Sequence, residues 1–201
     1  MVCERIPSTM DSPTAAPLFI PVILGTPRRG RRSEHVANFV LSRVAALSGV
    51  ETELFDVRQM AFPTNDAGEQ IKDATFSGAM MRADALVIVA PEYNHGYPGI
   101  LKHVLDSNLK EYIHKAVGIV GVSAGLWGGT RVIDNLLPVM RELGLVTIFW
   151  DGNFPSVQKI FDKDTGALLE PGYVRRLQKF LNELVWMAKV LRYGRENVAI
   201  E

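Results

Sequence analysis

Short apolar runs alternate with amphipathic stretches along most of this chain. Four runs are aliphatic or β-branched and bounded by turn residues: 18–24 (LFIPVIL), 85–90 (ALVIVA), 116–122 (AVGIVGV) and 145–149 (LVTIF). Continuous apolar runs of this length predict strands buried on both faces. A weaker run, 51–56 (ETELFD), alternates polar and apolar residues and predicts a strand nearer an edge. Pro21 in the first run argues against a central position, because proline has no N–H to give to a sheet ladder; it would need to sit at the strand start or where the missing N–H does no harm.

The stretches between these runs have helical spacing. Residues 33–48 put Val36, Phe39, Val40, Val44 and Leu47 on one face. Residues 128–143 do the same with Val132, Ile133, Leu136, Leu137 and Met140, and 171–191 with Leu177, Leu181, Leu184, Ala188 and Leu191 among others. The pattern over 68–82 is less tidy, and 99–109 continues as a helix from the loop before it. Pro138 predicts a kink or a distorted middle turn, Pro171 a helix start and Gly194 a stop. Strand followed by helix, five times over, predicts an α/β fold. Its core would be a five-stranded parallel sheet with helices on both faces and right-handed crossovers. Residues 57–67 and 150–170 are long and irregular, as loops serving a site or an interface tend to be.

Composition narrows the function class. The 201 residues suit one domain, and 47% hydrophobic content excludes disorder over most of the chain. Residues 1–16, rich in Ser, Thr and Pro, read as a flexible N-terminal tail, and 17–201 as a single domain. Lys+Arg and Asp+Glu both number 22, which argues against a general nucleic-acid binder. The tail lacks the apolar core of a signal peptide, and no apolar run is long enough to span a membrane. The lone cysteine, Cys3, makes neither an internal disulfide nor a zinc site, so a cytoplasmic protein is expected.

In a parallel sheet, ligands bind beyond the carboxyl ends of the strands, so the loops there are read together. In 25–33 (GTPRRGRRS), Thr26 and Ser33 offer hydroxyls, and Arg28, Arg29, Arg31 and Arg32 offer charge. A helix beginning near Ser33 adds free amides. Together these suit a phosphate; a solvated basic loop with Ser33 as helix cap is the plain alternative. The stretch fits neither GxGxxG nor the Walker A pattern. In 121–130 (GVSAGLWGGT), four glycines would let backbone approach a flat ligand, with Ser123 to hydrogen-bond and Trp127 to cover an apolar face. A flexible turn plugged by Trp127 remains open. In 91–99 (PEYNHGYPG), Tyr93 and Asn94 suit aromatic and amide contacts, whereas a lone loop histidine such as His95 is more often a surface residue than a catalyst. No Ser-His-Asp order or zinc spacing involves His35, His95, His103 or His114. A phosphate loop beside two loops suited to a planar ring points to chemistry carried by a cofactor.

The stretch PEYNHGYPGILKHVLD resembles the signature of the NADPH-dependent FMN reductase family, which has a flavodoxin-like fold. GTPRRGRRSEHVANFV and GVSAGLWGGTRVIDNLLPVMRELGLV resemble its phosphate loop and glycine-rich third loop, in the same order. The resemblance implies bound FMN, with Gly25, Thr26, Arg28, Arg31 and Ser33 around the phosphate. Pro91, Glu92, Tyr93 and Asn94 would border the isoalloxazine, and Ser123, Gly125, Trp127, Gly128 and Gly129 would form the opposite lip. Arg32 and the Ala124–Trp127 wording depart from the family pattern. The implied activity is ping-pong: NADPH (or NADH) gives hydride to flavin N5, and a flavin, quinone or similar small acceptor then takes it. Arg29 or Arg32 would meet the 2′-phosphate of NADPH. A homodimer or homotetramer is implied, with no metal, nucleic acid or membrane partner. The alternative is a non-catalytic or one-electron flavodoxin-type carrier, although such carriers present an acidic face and this chain is neutral overall.

Overall fold

Five passes of the chain build one parallel sheet. The computed structural model describes residues 16–60 and 72–200. The expected tail up to residue 15, and the part of the irregular and helical patterns falling on 61–71, lie outside these. The first pass is β1 (Leu18–Phe19) and β2 (Val22–Leu24), and the second is β3 (Val50–Glu51) and β4 (Leu54–Asp56). Next come β5 (Ala85–Pro91) and β6 (Lys115–Val122), and the last pass is β7 (Leu145–Thr147) and β8 (Gly152–Phe154). The sheet order is β4-β2-β5-β6-β7, with β8 also on β6, and β1 pairs β3 in a short ladder of its own. Every strand pairing is parallel. The weak second pass lies at an edge, as its alternating pattern predicts. Six strands appear in the main sheet, rather than five, because the last pass is split into β7 and β8, both paired with β6.

Pro21 interrupts the first pass. It falls in the gap between β1 and β2 and so stands at the start of β2, an interior strand paired with β4 on one side and β5 on the other. The neighbouring Phe19 N–H leaves the regular ladder and donates to the Asp84 carboxylate at 3.1 Å, and the Pro21 carbonyl still accepts from Val87 at 3.0 Å. A side chain thus patches the ladder beside the proline, and pairing resumes at Val22.

The period of two in β5 divides its side chains between two cores. Ala85, Val87 and Val89 face the layer built by α1 (Ser33–Ala45) and α5 (Gly172–Asn197). Leu86, Ile88 and Ala90 face α2 (Ala74–Arg82), α3 (Gly99–Asp106) and α4 (Thr130–Glu142). Each fully buried aliphatic side chain contributes about 1.5–3 kcal/mol, so both faces are strongly driven.

Two helix expectations need correction, at Leu137 and at Gly194. Leu137 is 41% exposed rather than on the core face. Helix α4 continues through Pro138, which faces solvent, where water can reach the carbonyl it leaves unpaired. Helix α5 passes Gly194 and ends at Asn197. Its last turns are anchored by Arg192 and Arg195, both paired with the buried Asp84, and those ion pairs outweigh one glycine's poor helix propensity.

Candidate active site

A cleft of about 290 Å³ opens at the carboxyl ends of β2, β5 and β6. Its walls are Arg28–Ser33, then Pro91–Tyr93, then Val122–Ala124 with Val157. This is the crevice where the strand order reverses, between the first and third passes.

The first wall is held from behind. The Arg31 guanidinium turns away from solvent, its side chain only 1% exposed, and forks onto both carboxylate oxygens of Asp56 at the end of β4. It also donates to the Thr26 carbonyl. Arg58, two residues past Asp56, donates to the carbonyls of Pro27, at 3.0 Å, and of Arg28. Asp56 further accepts from the Arg58 backbone N–H at 2.9 Å. Burial opposes charge on Asp56, but the bonds from Arg31 and Arg58 outweigh it and hold its carboxyl below the ordinary range. With these carbonyls occupied, the N–H groups of Arg29, Gly30, Arg31, Arg32 and Ser33 meet no acceptor among the described residues. Ser33 opens α1, and its Oγ is buried without a partner.

The second wall is tied to the first. Thr26 is buried, and its Oγ1 lies 2.9 Å from the Tyr93 hydroxyl. The Arg28 guanidinium sits 5.8 Å from the centre of the Tyr93 ring. Beyond Tyr93 the chain reverses at once: Tyr93 and Gly96 exchange both backbone bonds at 2.9 Å, and Asn94 and His95 between them both have positive φ. Two left-handed residues in this position make a type I′ turn, a conformation that asparagine tolerates well. Asn94 is therefore a turn residue at the rim and does not line the cleft. His95 is exposed, and its carbonyl accepts from Asn135 of α4 at 2.9 Å. Glu92 does line the cleft. Its Oε1 accepts from Arg131 at 2.9 Å, and its Oε2 is buried without a partner.

The third wall uses its glycines for packing. Gly129 has φ 78°, and a Cβ on it would lie 2.5 Å from the Gly121 carbonyl carbon. A Cβ on Gly121 would in turn meet the Gly129 oxygen at 2.6 Å. The start of α4 thus crosses the end of β6 with backbone touching backbone. Gly128 packs against Asn153 and Pro155. Gly125 stands in open space, and its carbonyl accepts from Ser123 Oγ at 2.9 Å and Ser156 N–H at 2.8 Å. Trp127 is 66% exposed outside the cleft, with the Arg131 guanidinium 5.3 Å from its ring centre.

Of the expected site residues, the cleft wall therefore includes Arg28, Arg31, Ser33, Pro91, Glu92, Tyr93 and Ser123. Gly25 and Thr26 lie behind the first wall, and Asn94, Gly125, Trp127, Gly128 and Gly129 lie at the rim or beneath it. Sequence reasoning missed Asp56, Arg58, Arg131 and Val157. Arg131 follows directly on the glycine-rich third loop, whereas Asp56, Arg58 and Val157 belong to no motif and reach the site only through the fold.

The sequence matches the family described as NADPH-dependent FMN reductase over residues 19–154. It is 30% identical over 120 residues to an NADPH azoreductase of Bacillus sp. (strain OY1-2), spanning 57% of this chain and 64% of that one, a little under two thirds of the relative. It is 25% identical over 174 residues to an FMN-dependent NADPH-azoreductase of Staphylococcus haemolyticus (strain JCSC1435), spanning 82% and 92%. In structure it resembles FerB, a flavoenzyme NAD(P)H:(acceptor) oxidoreductase from Paracoccus denitrificans, with a TM-score of 0.70 at 19% identity over 86% of this chain and 98% of that one. At that identity the likeness speaks for the flavodoxin-like fold alone. The matched stretch runs from the end of β1 to the end of β8, across all three walls of the cleft, and the chain belongs to the NADPH-dependent FMN reductase family of flavin-dependent oxidoreductases.

Proposed function

We propose that this chain takes hydride from NADPH or NADH through FMN held in the cleft and passes it to a quinone, azo compound, flavin or similar small acceptor, the two substrates alternating at one face. Ser33 carries the reading. A buried hydroxyl without a partner costs roughly 1–3 kcal/mol, and here it stands beside five unengaged N–H groups at a helix start. A phosphate would satisfy all of them, so the residues present fit FMN. In this reading Ser33, the amides of 29–33 and Arg28 hold the phosphate. Arg31 contributes its amide, because its guanidinium is bonded inward. Pro91 to Tyr93 and Ser123 flank the ring, with Glu92 Oε2 available to accept from a ring N–H.

FMN supplies the two-electron chemistry when bound. The chain binds and orients. Arg131 links the two lips by holding Glu92 while lying over Trp127. Exposed Arg28 and Arg29 lend the mouth a positive field that attracts a phosphorylated nucleotide. Trp127 offers a flat apolar face beside the cleft to a planar acceptor. The reading extends to a cytoplasmic homodimer or homotetramer of one flavodoxin-like domain per chain. Leu126, 86% exposed next to Trp127, supports association there, and no helix among the described residues is long and apolar enough to cross a membrane.

Anaerobic titration of the FMN-loaded protein with NADPH tests this. Loss of the oxidised-flavin absorbance at one NADPH per flavin, and its return on adding a quinone or azo dye, is expected. Failure to bind FMN would sink the site. FMN that binds but is reduced by neither nucleotide would sink the enzyme and leave a flavodoxin-type carrier.

A further inference from the structure

Two arginines occupy three successive carbonyls of the first loop. Arg31 takes that of Thr26, and Arg58 takes those of Pro27 and Arg28. A trans peptide points its N–H opposite to its C=O, so capturing a carbonyl from behind aims the next residue's amide forward. The Arg28 carbonyl shares its peptide plane with the Arg29 N–H, which meets no acceptor among the described residues. The Pro27 carbonyl shares its plane with the Arg28 N–H, which turns to Thr26 Oγ1 at 3.4 Å. Asp56 couples the two arginines, since its Oδ1 accepts both from Arg31, at 2.7 Å, and from the Arg58 amide, at 2.9 Å. Arg58 itself is not part of the cleft wall.

We propose that Arg58 is a positioning residue for phosphate recognition: its guanidinium fork holds the Pro27 and Arg28 carbonyls back, and this aims the Arg29 amide at the phosphate. The inference rests on the reading that the loop binds the phosphate of FMN. Arg58 acts through geometry and not through its charge, because the planar guanidinium presents its Nε and Nη2 donors at a fixed spacing, which the single nitrogen of an ammonium group does not reproduce.

The test compares FMN with riboflavin, which lacks the phosphate, by fluorescence titration of the full chain stripped of flavin. Arg58→Gln and Arg58→Lys are each expected to weaken FMN about tenfold while riboflavin stays within about twofold. A merely structural role would weaken both flavins in parallel, and that result overturns the proposal. Wild-type FMN affinity in Arg58→Lys also overturns it, because charge would then suffice. A wild-type protein that binds the two flavins equally well removes the phosphate-site reading and the proposal with it. Preference for FMN in the wild type that both variants retain removes the proposal alone.

Discussion

Replacing Asp56 by asparagine tests what holds the first wall. Asp56 accepts two bonds from the Arg31 fork and one from the Arg58 amide. Asparagine keeps the shape and one oxygen, but it turns an NH2 toward a guanidinium that can only donate. The Arg31 side chain is 1% exposed, so its charge cannot rehydrate unless the loop opens. Its other carboxylate, Glu34, lies 3.4 Å away and is half-exposed, a weak substitute. Removing one partner of a buried ion pair costs about 3–5 kcal/mol, and the retained oxygen puts Asp56→Asn near about 3 kcal/mol. For a domain of this size that lowers Tm by roughly 6–12 °C.

Urea unfolding of the flavin-free protein measures the loss without ligand linkage. A double-mutant cycle with Arg31→Met should return a coupling of about 2 kcal/mol. The sign with pH follows from Asp56 lying below its ordinary value. The stabilisation is fully present above the unfolded carboxyl value of about 4 and is lost as pH falls through the lower folded value. The gap between wild type and Asp56→Asn should therefore close in acid. A gap under about 0.5 kcal/mol at neutral pH, or one that widens in acid, would refute the reasoning.

Four further outcomes are expected. Ser33→Ala should weaken FMN roughly 10- to 100-fold by titration and leave riboflavin unchanged, since only the phosphate would need the hydroxyl. Arg29→Ala should raise KM for NADPH several-fold more than KM for NADH in steady-state assays, and equal effects would exclude a 2′-phosphate contact. Gly129→Ala should cost at least about 3 kcal/mol in urea unfolding, from its positive φ and its backbone overlap, while Gly125→Ala in the same loop should change stability by under about 0.5 kcal/mol. Lys115 is buried at the start of β6, where its Nζ donates to the Met81 carbonyl at 2.6 Å and to that of Met80; burial, then the charge of Arg195, lowers its pKa to about 8. The unfolded chain keeps that proton up to an ordinary value of about 10.4, so stability relative to Lys115→Met should rise by about 3 kcal/mol from pH 8 upward, and a flat difference would refute the assignment.

The sheet was legible because β5 and β6 are runs with no polar break, and such runs have no partner but a core on each side. Legibility failed where partners far apart in sequence decide the local structure. Pro21 marks a strand start, but nothing near it in sequence shows that Asp84, 65 residues from Phe19, takes the Phe19 N–H. Gly194 reads as a stop, yet ion pairs to the same Asp84 carry α5 past it. Strand β8 has only three residues, Gly152–Phe154, too few for any period to show.

The candidate site divides along the same line. The order of the three loops was readable, because each follows a strand. The work of individual residues within them was not. Four arginines in nine residues look alike in sequence, but Arg31 is neutralised by Asp56, Arg32 keeps its charge while reaching the Lys163 carbonyl at 3.5 Å, and Arg28 and Arg29 stand as open charges at the mouth. The glycines of the third loop looked like room for a ligand, and Gly121 and Gly129 instead let two backbones cross. Asn94 looked like a ring edge, and it first has to close a type I′ turn. In each case the residue type was chosen for a backbone requirement, and the groups left over for a ligand are mostly amides and one buried hydroxyl. Recognition built from amides depends on loop conformation more than on the count of charges. The residues that fix that conformation, Asp56 and Arg58, therefore belong to the site as fully as those that line it.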